Sequence, residues 1–92
     1  MEYEVVLSEL ALKDIRKHKK SGNTQVISKI NSLLLELRNH PKTGTGNPEQ
    51  LKGYLNDTWS RRITDKHRLI YEIDECVVKV AVISTYGHYS DK

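Results

Sequence analysis

The chain has 92 residues, enough for one domain with a single core, and its 15 Lys and Arg against 12 Asp and Glu give a formal net charge of +3. An excess this small matters for binding only where it is concentrated on one surface. The single cysteine, Cys76, excludes an internal disulfide and a thiolate metal site, and no apolar run approaches the roughly 18 residues of a membrane span. The N-terminus lacks the pattern of a signal peptide, so we expect a cytoplasmic protein without membrane contact.

The first half of the sequence predicts a strand and two helices. Tyr3, Val5 and Leu7 alternate with Glu2, Glu4 and Val6, as in a strand with one face more apolar than the other. Ser8 suits a helix N-cap, the stretch "ELALKDIRKHKK" predicts a first helix, and Gly22 is a suitable C-terminal stop. A second helix is predicted from about residue 24 to 39, before Pro41, by apolar residues at helical spacing: Val26, Ile30, Leu33, Leu34 and Leu37.

The second half predicts a long polar loop, "KTGTGNPEQLKGYLNDT", followed by three strands at about 58–64, 68–73 and 77–85. Together with the first strand these make a four-stranded, antiparallel-dominated sheet. The fold class is therefore α+β, a single domain over residues 1–92 with two N-terminal helices on one face of the sheet.

Strand alternation assigns the cationic residues of "WSRRITDKHRLIYEI" to faces. If Trp59 and Ile63 face the helices, Arg62 faces away, and the same parity places Arg68 on that open face. The two arginines then form either a phosphate-binding pair or a solvated surface with an ion pair to Glu72. Arg61 falls on the helix side, where an ion pair at the rim of the core is expected.

The run "GNPEQLKGYLNDTWSRRITDKHRLIYEI" with a His-Tyr pair near the C-terminus resembles the Txe/YoeB toxins of bacterial toxin–antitoxin systems, within the RelE superfamily. The resemblance implies a RelE-like fold and a ribosome-dependent endoribonuclease, or mRNA interferase, that cuts mRNA in the A site. It also implies catalysis without metal or other cofactor. The implied partners are the ribosome with its mRNA and a cognate YefM/Axe-like antitoxin, with a homodimer or a toxin–antitoxin hetero-oligomer as possible assemblies.

The resemblance also implies roles for individual residues. Glu49 corresponds to the general base, Arg62 and Arg68 to the groups that bind phosphate and stabilise charge, and His88 to the general acid. Lys52 and Tyr89 complete the site. Tyr86 and Tyr89 suit either packing at the sheet end or stacking on RNA bases. The sequence departs from the family pattern in three places: at Gln50, where a proline is common, in the "YG" before His88, and in three residues after Tyr89 that exclude a terminal tyrosine carboxylate from the site.

The chemistry of RNA cleavage supports this set independently, because attack by the 2′-hydroxyl needs a base, an acid and cations for the phosphorane. One alternative keeps the fold without catalysis: the ParE branch, which inhibits DNA gyrase by binding. Another, an adaptor that coats RNA, leaves Glu49 beside a phosphate-binding face unexplained. The remaining histidines show no metal-ligand spacing: His18, His40 and His67.

Overall fold

The computed structural model describes the backbone of residues 2–84 and the side chains of residues 2–81. The elements follow in this order: β1 (Glu4–Leu7), α1 (Glu9–Lys20), α2 (Thr24–Leu37), β2 (Glu49–Gln50), β3 (Asp57–Arg62), β4 (Arg68–Asp74) and β5 (Val77–Ser84). The strands form one sheet in the order β1-β5-β4-β3-β2. The β1–β5 pairing is parallel and the other pairings are antiparallel, which confirms the predicted α+β, antiparallel-dominated class.

The expected sheet of four strands is wrong in number, because the polar loop contributes a fifth, β2. This strand has only two residues, so no alternation of apolar and polar positions could indicate it. Its register pairs Glu49 with Ser60 and Gln50 with Trp59. The loop is therefore tied to the sheet edge before the chain enters β3.

Helix α1 begins and ends at the predicted signals. The Ser8 side chain accepts a hydrogen bond from the Ala11 amide at 3.0 Å, and its hydroxyl donates to the Ala81 carbonyl at 2.5 Å. The cap thus joins the helix start to β5. Gly22, with φ +72°, follows the helix in the left-handed conformation that favours glycine.

The core lies between the helices and one face of the sheet. Helix α2 buries its predicted stripe there, and the strands supply side chains that include Leu69, Tyr71, Val78 and Val80. Ile63 is buried in this core and Trp59 packs against it, so the predicted helix-facing side of β3 is confirmed. The opposite face carries Arg62, which is exposed, and also Ser60 and Ile70, which are almost fully buried.

Four predicted boundaries shift by one or two residues, among them the start of β3, which lies at Asp57 and not at the predicted 58. Helix α2 ends at Leu37, before the predicted 39, because the Arg38 amide bonds to the Leu35 carbonyl and tightens the last turn. Strand β3 ends at Arg62 since the Ile63 amide bonds to the His67 carbonyl and begins the turn. Strand β4 runs one residue past its predicted end, to Asp74, and the predicted end of β5 at residue 85 lies outside the described residues.

Within the described part of the chain, neither helix has the length and apolar character needed to cross a membrane.

Candidate active site

Two arginines lie directly opposite each other where β3 turns into β4. Arg62 pairs with Arg68 in the register of the two strands, so both side chains leave the same face, the open one predicted by parity. Among the side chains of residues 2–81, no carboxylate lies within 4.0 Å of either guanidinium. Glu72 lies four residues along the strand from Arg68, about 13 Å away, and instead accepts a hydrogen bond from Asn56 at 3.1 Å. The expected alternative, an ion pair to Glu72, is therefore absent.

Strand β2 brings Glu49 to this open face. Glu49 lies opposite Ser60, and Ser60 is two residues before Arg62, so all three side chains share one side of the sheet. The Cα positions of Glu49 and Arg62 are offset by about 7 Å along the strands and one strand spacing of about 4.8 Å. Ser60 and its partner Ile70 are almost fully buried, whereas Glu49 and Arg62 are exposed. The carboxylate of Glu49 and the two arginines therefore lie around a pair of buried residues, Ser60 and Ile70.

Lys52 lies farther from the arginines than Glu49 does. The Leu51 amide continues the edge pairing by bonding to the Thr58 carbonyl at 2.8 Å, and Lys52 follows, exposed to solvent. Because β2 and β3 are antiparallel, each step from Glu49 towards Lys52 leads away from Arg62. Strand pairing does not bring Lys52 beside the arginine pair.

Three of the predicted site residues, Tyr86, His88 and Tyr89, lie outside the described residues. Ser84, the last residue of described backbone, pairs with Arg68. The described chain thus reaches the arginine pair just before the segment that carries these three residues.

The most buried cation among the described residues lies behind this site. Arg61 is 0% exposed, and its ion pair with Glu36, at 2.5 Å, confirms the expectation for its side of the sheet. Its Nε donates to the Tyr71 hydroxyl at 3.1 Å, and a cation–π contact places the guanidinium 5.8 Å from that ring's centroid. Five hydrogen bonds use all the N–H donors of the guanidinium; besides Glu36 and Tyr71, the acceptors are the carbonyls of His40, Thr43 and Thr45.

Tyr71 extends this network towards the start of the loop. Burial raises the pKa of Tyr71, so its phenol stays neutral and donates to the Pro41 carbonyl at 2.7 Å. The sequence indicated that Arg61 lies at the rim of the core. It could not indicate which backbone carbonyls accept its hydrogen bonds, because every residue has such a carbonyl.

Glu36 holds the loop from the helix side. Its two carboxylate oxygens accept the Thr45 amide at 2.9 Å and the Thr45 hydroxyl at 2.7 Å. The Thr45 hydroxyl is the largest cause that lowers the pKa of Glu36, with partial burial opposing it and Arg61 adding to it. Glu36 is therefore ionised at neutral pH. Neither residue belongs to the set predicted for the site.

Gly44 and Gly46 let the loop approach the sheet closely. A Cβ at Gly44 would lie 2.5 Å from a Glu36 carboxylate oxygen, and one at Gly46 would lie 2.8 Å from the Arg62 carbonyl oxygen. Both have positive φ, +114° and +88°, which only glycine adopts readily. The Gly46 carbonyl accepts the Arg62 amide at 2.7 Å. The loop is thus bonded to the backbone of a site arginine three residues before Glu49.

Gln50, the departure from the family pattern, has a structural partner. Its side chain donates to Asp57 at 2.8 Å, and the same carboxylate accepts the Trp59 indole N–H at 2.8 Å. Partial burial acts to raise the pKa of Asp57, but the bonds from Trp59 and Gln50 and the nearby Lys42 outweigh it and lower that pKa. An ionised Asp57 therefore holds β2 against β3.

His18 and His67 form a separate contact at the far end of α1. Their ring centroids are 4.8 Å apart in an edge-to-face arrangement, and His18 is 3% exposed. Asn23 lies 3.1 Å from one ring nitrogen of His18, while His18 Nε2 and His67 Nδ1 are buried without a hydrogen-bond partner. In the described part of the chain, no group of three or more His, Cys, Asp or Glu residues is arranged to hold a metal ion.

Comparison of the sequence with known proteins identifies the family to which the chain is similar. The chain matches the model of the YoeB-like toxin of bacterial type II toxin-antitoxin system over residues 7–89. It is similar to a toxin YoeB of Streptomyces coelicolor, 44% identical over 72 residues that cover 78% of this chain and 83% of that protein.

Solved structures agree with the sequence match. The YoeB dimer from Staphylococcus aureus has a TM-score of 0.78 at 33% identity, over 91% of this chain and 97% of that chain. A YoeB-YefM complex from the same organism has a TM-score of 0.76 at 34% identity, over the same shares. Because the family match spans nearly the whole chain and the solved YoeB structures share its fold, this protein belongs to the YoeB-like toxins of bacterial type II toxin–antitoxin systems.

Proposed function

We propose that this toxin is a ribosome-dependent endoribonuclease that cuts mRNA in the A site and so inhibits translation. The observation that carries the proposal is the directly opposed Arg62–Arg68 pair, which has no described carboxylate within 4.0 Å and shares its face with Glu49. Like charges directly opposite in a sheet are unfavourable. A phosphate or a pentavalent phosphorane, each an anion, relieves that repulsion.

The proposed reaction uses the 2′-hydroxyl of the RNA as the nucleophile. Glu49 takes the proton of that hydroxyl while its oxygen bonds to the adjacent phosphorus. Arg62 and Arg68 stabilise the negative charge of the phosphorane. His88 gives a proton to the 5′-oxygen as the P–O5′ bond breaks. The products are a 2′,3′-cyclic phosphate and a 5′-hydroxyl, and every proton is accounted for without a metal or other cofactor.

The other site residues support binding and orientation in this proposal. Lys52, exposed beyond β2, contacts an RNA phosphate away from the scissile one. Tyr86 stacks on a base. Tyr89 belongs to the catalytic set beside His88.

We propose a cognate YefM-like antitoxin as the controlling partner, in the cytoplasm where the ribosomes and mRNA are. One solved relative is a YoeB-YefM complex, and another is a dimer. A homodimer and a toxin–antitoxin hetero-oligomer are therefore the proposed assemblies. A cationic open face suits an acidic antitoxin segment.

The proposal is tested by mapping cleavage ends on one message with and without translating ribosomes. We expect cuts at A-site codons only when ribosomes are present, with 2′,3′-cyclic or 3′-phosphate and 5′-hydroxyl ends. Cleavage should persist after excess EDTA when ribosome integrity is verified in parallel. Products with 5′-phosphates would indicate a metal-activated water instead. No cleavage together with inhibition of DNA gyrase would favour the ParE-type activity.

A further inference from the structure

The loop between α2 and β2 is held by side chains rather than by regular secondary structure. Arg61 donates to three of its carbonyls, those of His40, Thr43 and Thr45. Glu36 accepts the amide and the hydroxyl of Thr45 from the other side. Since Arg61 is 0% exposed and its donors are all used, its own bonds to the loop are shielded from water, whereas the bonds between Glu36 and Thr45 lie at the surface.

The end of this loop sets the position of Glu49. Strand β2 has two exposed residues at the edge of the sheet, and a pairing this short is weak by itself. Three residues earlier, Gly46 bonds to the Arg62 amide at 2.7 Å. The segment that carries Glu49 is therefore fixed relative to Arg62 by the loop on its N-terminal side, in addition to the bonds of Gln50 and Leu51 to β3 on its C-terminal side.

We propose that Glu36 and Arg61 are positioning residues for the reaction: their partly buried ion pair helps to fix the 40–46 loop and thereby to hold Glu49 at its distance from Arg62 and Arg68. This inference rests on the proposed role of Glu49 as the general base. Neither Glu36 nor Arg61 touches the RNA, because both act from the helix side of the sheet. Their effect on the rate passes through the geometry of Glu49.

Glu36 is the better residue to change, since its side chain is 31% exposed whereas that of Arg61 is fully buried. Glu36→Ala should lower the single-turnover cleavage rate on programmed ribosomes about 10-fold to 100-fold, the range expected when a reacting group is misplaced by about 1 Å. Glu36→Gln should recover part of the rate, because its amide oxygen still accepts one of the bonds. The matched control is Glu2→Gln, which removes an exposed 2.8 Å ion pair to Arg38, away from the loop, and should leave the rate unchanged.

A second readout follows the loop itself. Hydrogen exchange at the amides of Thr45 and Arg62, which bond to Glu36 and to Gly46, should accelerate in Glu36→Ala and stay unchanged in Glu2→Gln. Unchanged exchange together with a parental rate in Glu36→Ala would overturn the inference. An effect on exchange with no effect on rate would overturn it too, since the loop would then not position the base.

The Glu49→Gln background separates this inference from the proposed function. If Glu36 acts through Glu49, Glu36→Ala should add no further loss to Glu49→Gln. A full additional loss would overturn the positioning role while leaving Glu49 as the base. If Glu49→Gln alone cleaves at the parental rate, the proposed role of Glu49 is wrong, whatever Glu36→Ala does.

Discussion

At the residue scale, the neighbours Arg61 and Arg62 show how one step along a strand decides what a cation does. Arg61 points to the helix side, where it is fully buried and bonded to the loop. Arg62 points to the open side, is exposed and lies opposite Arg68. Their chemistry is the same, and only their faces of the sheet differ. Parity along the strand therefore separates a structural arginine from one available to an anion.

Arg62→Ala should slow cleavage steeply without weakening the fold. The loss of one group that stabilises the phosphorane charge should lower the single-turnover rate about 10²-fold to 10³-fold. The free energy of unfolding should change by less than about 0.5 kcal/mol, because Arg62 is exposed and packs against no core residue. Urea midpoints and cleavage on programmed ribosomes measure the two effects. Arg38→Ala removes an exposed arginine away from the site, and an equal rate loss there would contradict the assignment.

The stability of the fold should depend on pH through His18. Burial, and then the charge of His67, lower the pKa of His18, while Asp14 on the same helix opposes them. The unfolded chain therefore binds a proton at this position more readily than the folded chain. The free energy of unfolding should fall as the pH drops through the ordinary histidine pKa of about 6.5, and this dependence should level off below the lowered pKa.

Urea unfolding between about pH 7.5 and pH 5.5 measures this dependence. His18→Gln, which keeps a polar group beside Asn23, should flatten most of the slope. His40→Gln changes an exposed histidine and should leave the slope as it is. The same slope in His18→Gln as in the parent would show that the dependence has another origin.

At the element scale, the long loop is an ordered part of the site. Its order depends on Gly46, where both a positive φ of +88° and the nearby Arg62 carbonyl exclude a side chain. Gly46→Ala should lower the free energy of unfolding by about 2–4 kcal/mol. Gly53→Ala is a matched control, since Gly53 has the same φ of +88° with nothing within 4 Å of an added Cβ. It should cost only the backbone strain, about 1 kcal/mol. Equal urea midpoints for the two variants would contradict the close approach.

The elements differ in how well the sequence predicts them, for physical reasons. Helix α2 shows its apolar stripe over four turns, and α1 has both a capping serine and a terminal glycine, so their residues alone indicate them. Strand β2 has two exposed residues and exists because Gln50, Asp57 and the loop hold it. Parity placed Arg62 and Arg68 on one face correctly. The same reasoning could not reveal the bonds of Arg61 and Glu36, which depend on where a distant loop folds.

At the scale of the whole molecule, the cationic open face predicts how an antitoxin controls the toxin. Expression of this chain alone should arrest growth, and co-expression of the cognate YefM-like antitoxin should relieve the arrest. If an acidic segment of the antitoxin covers Arg62 and Arg68, the rate of toxin–antitoxin association should fall as ionic strength rises. Arg62→Ala and Arg68→Ala should each reduce that salt dependence. Stopped-flow association over a salt series measures it, with Arg38→Ala as the control. Association that is independent of salt, or a chain that folds without arresting growth, would contradict this mechanism.

The parallel pairing of β1 with β5 has a consequence for the timing of synthesis. Glu4 pairs with Val77, so the first strand waits for its partner until nearly the whole chain has been made. Translation adds roughly 5–20 residues per second, so this delay is about 4–15 seconds. Until then β1 has no neighbour, because β5 alone connects it to the rest of the sheet. The sheet of this toxin is thus completed only when almost all of the chain has been synthesised.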